Sequence, residues 1–289
     1  MREQSPLRLQ FLLFCGAILV ALPLRCYQFI RIIEPGTGFY NTKGASVWIL
    51  YILIVALLFV CFALSYLNRK WYFFNITPER RPALAVFCFL LALSLVWDAV
   101  SCWQHVVTSY NVLPAVERVF RDFIKTGIIP KGFEAVTATF SAVYFVLLGS
   151  SYQSGRSTGS AYKLLALFPV VWGVSRIIYR FTRTISFLNV SDLLFELLML
   201  VFLLLFLMHF IQLNARVNCE GTDWKLAAYG FFTAFQCLLC FVPRFILFAV
   251  GKGNLLAEQS PPEYCDLAMA LFILGTLLSR LEIRKELSK

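Results

Sequence analysis

Five ionisable residues lie inside stretches of sequence that are otherwise apolar and long enough to cross a membrane. They are Arg25, Asp98, Arg176, Arg180 and Arg244. A charged side chain is costly in hydrocarbon, so such residues are rare in spans and tend to face a cavity, a partner or a ligand. An arginine side chain can hold a carboxylate or a phosphate through two hydrogen bonds. These residues therefore predict a candidate anion-binding site within a membrane protein.

The arginines of the fifth apolar stretch have helical spacing. Arg176, Arg180 and Arg183 follow one another at intervals of four and three residues, which places them on one face of a helix. Three guanidinium groups on one face repel each other unless anions lie opposite them. Asp192 and Glu196 come next in the chain, four residues apart, and are the candidate charge partners.

The same residues allow three other interpretations. In a structural or assembly subunit, the charges would pair across neighbouring helices or with a partner subunit, or the arginines would extend their long stems towards the interface. In a proton or cation path, Asp98, Asp192 and Glu196 would carry the ion. In a lipid-acting enzyme, one of these three carboxylates would serve as acid or base near a phosphate head group.

Motifs for other chemistries are not found in the sequence. It contains no zinc-ligand spacing, no nucleophile elbow and no Walker motif. Cys237 and Cys240 form a CxxC motif, but they lie in an apolar helix outside any βαβ unit and are expected to be buried hydrophobes. We therefore expect no catalytic residue, no metal and no cofactor, and a role that is not enzymatic.

The composition places the chain in a membrane. Of its 289 residues, 60% are hydrophobic and only 15% are charged, whereas about a quarter of the residues in a globular domain are charged. The net charge of +10 is spread over short loops between apolar runs. A nucleic-acid-binding protein would instead gather its charge on one folded polar face. Lipids are the expected partners, and nucleic acid is not.

Apolar runs along the chain define the expected fold. A transmembrane helix needs about 20 mostly apolar residues, and no segment resembles a soluble domain. We predict an all-α integral membrane protein, a single polytopic domain over residues 1–289, with eight transmembrane helices arranged as four helical hairpins. The predicted spans are 9–32, 45–67, 82–104, 135–153, 163–187, 192–214, 225–249 and 264–281, and the hairpins, which resemble repeats, are 9–67, 82–153, 163–214 and 225–281.

Loop charges indicate the orientation. Lys and Arg concentrate in the short loops on the side of the N-terminus, which predicts that both termini are cytoplasmic and that the protein lies in the cell membrane. The long outer loop between 104 and 135 should contain an amphipathic helix on the membrane surface, because its apolar residues recur at helical spacing. Those residues are Leu113, Val116, Phe120, Phe123 and Ile124.

The expected function follows from the position of the charges. Measured from the inner ends of their spans, Arg25, Asp98 and Arg244 lie in the outer half of the bilayer, with Arg176 somewhat deeper. We expect binding, transport or sensing of a small anionic or amphiphilic molecule, such as a lipid head group, through this arginine cluster. A structural or assembly subunit and a lipid-acting enzyme remain the alternatives.

Overall fold

The computed structural model describes residues 6–34, 40, 44–75, 79–112, 123–124, 126–155, 162–182, 190–215, 221–256 and 262–283. This part of the chain is almost entirely helical, with two short strands. Its elements in chain order are α1 (Pro6–Arg31), α2 (Ala45–Leu67), β1 (Tyr72–Phe74), α3 (Pro82–Val112), α4 (Ile128–Ser154), α5 (Tyr162–Leu165), α6 (Phe168–Thr182), α7 (Val190–Asn214), α8 (Thr222–Ala249), α9 (Tyr264–Arg280) and β2 (Leu281–Ile283), with a short 3-10 turn at Gly253–Leu255.

Seven helical segments of the described chain are long and apolar enough to cross a membrane. They are α1, α2, α3, α4, the segment formed by α5 and α6, α7 and α8. The chain is therefore a multi-pass α-helical membrane protein, as the composition predicts. The last helix, α9, is apolar but only 17 residues long, so the predicted count of eight spans stays a prediction.

A turn interrupts the fifth span. The sequence predicts one apolar segment over 163–187, and the structure divides its first part into α5 and α6 with a turn between them. Pro169 explains the break, because proline has no backbone N–H and fits the first turn of a helix but not its interior. The predicted amphipathic helix at 113–125 lies outside the described residues except for Phe123 and Ile124.

Contacts divide the chain into two units. The first unit comprises Met1–Ile76 and Phe187–Lys289. Helix α8 is its centre, because α1, α2, α7 and α9 all pack against it. Phe231, Phe232 and Phe235 of α8 are fully buried among these neighbours. A helix buried on all sides in this way is apolar around its whole circumference, which makes its polar residues conspicuous.

A small sheet ties the end of the first unit to the segment after α2. Strands β1 and β2 are antiparallel, with Tyr72 opposite Ile283 and Phe74 opposite Leu281. The Tyr72 hydroxyl donates a hydrogen bond of 3.0 Å to Oε1 of Gln10, at the start of α1. Burial raises the pKa of this phenol, so Tyr72 remains a neutral donor.

The second unit comprises Thr77–Ser186, and α3 and α4 pack along much of their length within it. Both helices carry buried small residues, which allow transmembrane helices to approach closely. Buried examples are Ala85, Ala92 and Ala99 on α3 and Ala135, Ala138, Ala142 and Gly149 on α4. A Cβ atom at Gly149 would lie 2.9 Å from Cε1 of Phe89 and 3.1 Å from Cβ of Cys88.

Replacing Gly149 with Ala is therefore expected to overpack α3 against α4 and to lower the free energy of unfolding by about 1 to 3 kcal/mol. The measurement is unfolding of the detergent-solubilised protein by SDS. Gly16→Ala is the matched control, because nothing lies within 4 Å of a Cβ atom at that helical position. The control should be neutral or stabilising by up to about 1 kcal/mol, and equal effects of the two changes would contradict the close packing.

Candidate functional site

Arg25 is buried near the C-terminal end of α1, in the first unit, with a relative exposure of 2%. One nitrogen of its guanidinium, Nη2, contacts Oδ1 of Asp192 in the first turn of α7. The other, Nη1, donates hydrogen bonds of 3.0 Å to Oε1 of Gln28 and to the hydroxyl of Tyr40. The side chain is therefore held on both sides by polar groups.

Arg244 reaches the same carboxylate from α8. Its Nη2 lies 3.7 Å from Oδ2 of Asp192, and its Nη1 donates a hydrogen bond of 2.6 Å to Oε1 of Glu196. Arg244, Asp192 and Glu196 are all buried. Two guanidinium groups from two different helices thus converge on one carboxylate, and the four side chains together carry no net charge.

Apolar side chains surround this first cluster, which consists of Arg25, Asp192, Glu196 and Arg244. The Arg25 guanidinium carbon lies 4.6 Å from the ring centres of both Phe29 and Phe195, a distance at which the ring faces attract the cation. The pocket between these groups leaves no room for a water molecule. It is lined by Arg25, Phe29, Asp192, Phe195, Leu239, Cys240 and Arg244. In the structure, the carboxylate of Asp192 therefore lies between the two guanidinium groups.

Both arginine-bearing helices of this cluster contain a proline next to the arginine. Pro23 lies inside α1, two residues before Arg25, and Pro243 lies inside α8, directly before Arg244. A proline inside a helix removes the hydrogen bond to the carbonyl four residues earlier, which in α8 is that of the pocket residue Leu239. Both helices nevertheless continue past their prolines, α1 to Arg31 and α8 to Ala249.

A second buried cluster lies within the second unit. The indole N–H of Trp172 donates a hydrogen bond of 3.0 Å to Oδ2 of Asp98. The guanidinium carbon of Arg176 lies 5.1 Å from the ring centre of Trp172. Trp172 and Arg176 are both buried, so Asp98 is placed beside a tryptophan that also contacts an arginine.

Three groups of this second cluster could hold a cation. One ligand atom each from Asp98, Cys102 and Glu134 lies within 4.8 Å of the others. The ammonium group of Lys131 is already beside two of them, 2.9 Å from Oε2 of Glu134 and 3.6 Å from Sγ of Cys102. The same ammonium lies 4.2 Å from the ring centre of Tyr179. Lys131 therefore places a positive charge directly beside Glu134 and Cys102.

The predicted site residues divide between the two units. Arg25 and Arg244 meet in the first unit, whereas Asp98, Arg176 and Arg180 belong to the second. Arg180 is half-buried near the end of α6, and Arg183 lies outside the described residues. From the sequence, Asp192 and Glu196 are candidate partners for the arginines of the fifth span. The structure shows them in contact with Arg25 and Arg244, and their pairing with the arginines of the fifth span stays a prediction.

Several site residues are not predicted from the sequence. Gln28 and Phe29 follow Arg25 by three and four residues on α1, so helical spacing could have identified them. Cys102, which was also not predicted, follows the predicted site residue Asp98 by four residues on α3. Tyr40 and Lys131 carry no such local signal, because their roles depend on how the chain folds around them.

Comparison with known proteins finds no protein family, no curated protein and no solved structure that matches this chain. The assignment of function therefore rests on the geometry of these clusters.

Proposed function

We propose that the protein spans the cell membrane eight times, as four helical hairpins, with α9 as the eighth span and both termini in the cytoplasm. With 17 residues, α9 reaches the lower end of the length that can cross a bilayer. The excess of Lys and Arg in loops on the side of the N-terminus supports this orientation. An even number of spans agrees with it, because both ends of the chain then lie on one side.

Within this topology, we propose that the protein binds a small organic anion or amphiphile. It would act as a transporter or as a sensor of that molecule. The observation that carries the proposal is the convergence of Arg25 and Arg244 on the carboxylate of Asp192. Two guanidinium groups aimed at one carboxylate have the charge and donor arrangement that would bind a ligand's carboxylate or phosphate. Asp192 is then the internal occupant of the site, which the ligand replaces.

The energetics of the cluster support a site that can open. Each buried charge is compensated by an internal partner, so the closed state avoids an unpaired ion in the apolar interior. Pro23 and Pro243 weaken the two helices beside Arg25 and Arg244. A small movement of either helix would separate an arginine from Asp192 and leave a positive charge that an incoming anion can satisfy.

A structural or assembly role is the second candidate, and one observation favours it. The charges of the first cluster are internally balanced, and its pocket has no room for a water molecule. Ion pairs of this kind can fix the register of helices without binding anything. No contact among the described residues favours the lipid-acting enzyme in a comparable way.

The binding proposal predicts that an organic anion stabilises the detergent-solubilised wild-type protein. A ligand at about a hundred times its Kd raises the free energy of unfolding by about 2.7 kcal/mol, because it binds only the native state. The measurement is the melting temperature in the presence of octanoate, octyl phosphate or inorganic phosphate. Octanol is the matched control, since it has the same apolar chain without the anion. If none of the anions stabilises the protein more than octanol does, the binding proposal fails and the structural role stands.

A further inference from the structure

Helix α8 also carries a buried polar residue, Gln236, whose side chain has no hydrogen-bond partner among the described residues. Gln236 has a relative exposure of 0%. Neither its side-chain oxygen nor its side-chain nitrogen has a hydrogen-bond partner among the described residues. Buried amides are nearly always hydrogen-bonded, because leaving one unpaired in an apolar interior is costly. Among the described helices that are long enough to cross a membrane, α8 is the most buried, so an unpaired amide there needs an explanation.

Helix geometry places Gln236 on the same side of α8 as three residues that line the pocket. Successive residues of an α-helix turn by about 100°. Relative to Gln236, Leu239 is thus displaced by about 60° to one side, and Cys240 and Arg244 by about 40° and 80° to the other. Those three residues all line the pocket. Gln236 points within the arc that they define, one turn closer to the middle of the helix than Cys240.

We propose that Gln236 forms the floor of the ligand site and recognises a neutral hydrogen-bonding group of the ligand. This proposal rests on the proposed function, because it assumes that the charged end of the same ligand replaces Asp192 between Arg25 and Arg244. In the closed state the apolar surroundings separate the two polar regions. When the ligand enters, its far end satisfies the amide that the closed state leaves unpaired.

The arrangement defines the class of ligand. Gln236 and Arg244 are eight residues apart, which corresponds to about 12 Å along the helix. A primary amide both donates and accepts hydrogen bonds, so a hydroxyl or a carboxamide suits it equally. The ligand is therefore an organic anion with a carboxylate or phosphate at one end, a short apolar middle, and a hydroxyl or amide about 12 Å away.

The experiment compares two anions that differ by one hydroxyl group. Octanoate and ω-hydroxyoctanoate share the carboxylate and chain length, and only the second carries the group that Gln236 would bind. The apparent Kd of each is obtained from the melting temperature of the wild-type protein as a function of ligand concentration. A site that is built to hydrogen-bond a hydroxyl discriminates strongly against an analogue without it, so we expect ω-hydroxyoctanoate to bind at least about tenfold more tightly.

Gln236→Met tests whether the amide makes this distinction. The replacement keeps the length of the side chain but removes both hydrogen-bonding atoms, and it should bring the ratio of the two Kd values close to one. It should also leave the ligand-free protein at least as stable, because no hydrogen bond is lost. Thr276→Val is the matched control, since the Thr276 hydroxyl on α9 is also fully buried and without a partner. This control should leave the ratio unchanged.

The outcomes separate this proposal from the one on which it rests. If neither anion stabilises the wild-type protein more than octanol does, the proposed function fails, and the role of Gln236 fails with it. If both anions bind equally well, the anion site between the two arginines is supported, but Gln236 does not recognise the hydroxyl group of the ligand. The same conclusion follows if Gln236→Met leaves the Kd ratio unchanged, or if Thr276→Val reduces it as much.

Discussion

Replacing Asp192 with Asn should lower the free energy of unfolding by about 3 to 5 kcal/mol. The substitution preserves the size of the side chain and removes the charge on which Arg25 and Arg244 converge. Arg25 then loses its carboxylate partner at a site that is 2% exposed. Breaking a buried ion pair costs most when the remaining ion cannot reach water. The measurement is SDS-induced unfolding of the solubilised protein, with circular dichroism as the readout.

Glu79→Gln is the control for the loss of an acidic side chain. Glu79 also contacts an arginine, 2.8 Å from Arg81, but the Glu79 side chain is 57% exposed. Exposed pairs contribute about 1 kcal/mol or less, so this change should be close to neutral. If Asp192→Asn lowers the free energy of unfolding no more than Glu79→Gln does, the first cluster does not hold its helices together.

Replacing Lys131 with Met should destabilise the second unit by about 3 kcal/mol, the lower end of the range for a buried pair. The Lys131 side chain is 17% exposed, so water screens part of the interaction, whereas its partner Glu134 is almost completely buried. The substitution leaves that carboxylate without the ammonium group 2.9 Å away. The measurement is the free energy of unfolding of the solubilised protein in SDS.

A double-mutant cycle distinguishes the ion pair from packing. Lys131→Met combined with Glu134→Gln removes both charges, and the double variant should be more stable than the sum of the two single effects predicts. Residues in one buried pair show coupling energies of about 0.5 to 3 kcal/mol. Additive effects would mean that Lys131 stabilises the protein through its contact with the Tyr179 ring and not through Glu134.

The membrane architecture could be predicted from the sequence because it depends on local properties. The second apolar run, predicted at 45–67, coincides with α2 at Ala45–Leu67, since the length of an apolar run determines whether a helix can cross a bilayer. The C-terminal end of α3 was harder to predict, because the helix continues to Val112 beyond its apolar part. The interruption of the fifth span depends on Pro169. Hydrophobicity alone does not predict it, because proline affects the backbone and not the apolar character of the segment.

The partners in the site could not be predicted in the same way. Intramembrane charge identifies Arg25 and Arg244 from the sequence. Their common contact with Asp192, however, depends on α1 and α7 both packing against α8, and residues 25 and 192 are far apart in the chain. From the sequence, Asp192 and Glu196 are candidate partners for the arginines of the preceding span, and that pairing stays a prediction. Helix packing is a tertiary property, and the sequence of one helix does not specify its neighbours.

Rescue of the Asp192→Ala variant by acetate tests whether Asp192 occupies an anion site. This variant removes the internal carboxylate and leaves space for an external one between Arg25 and Arg244. We expect acetate to raise the melting temperature of the variant by several degrees more than that of the wild-type protein, and neutral acetamide to have no such effect. If acetate and acetamide have the same effect on the variant, the two arginines do not form an anion site.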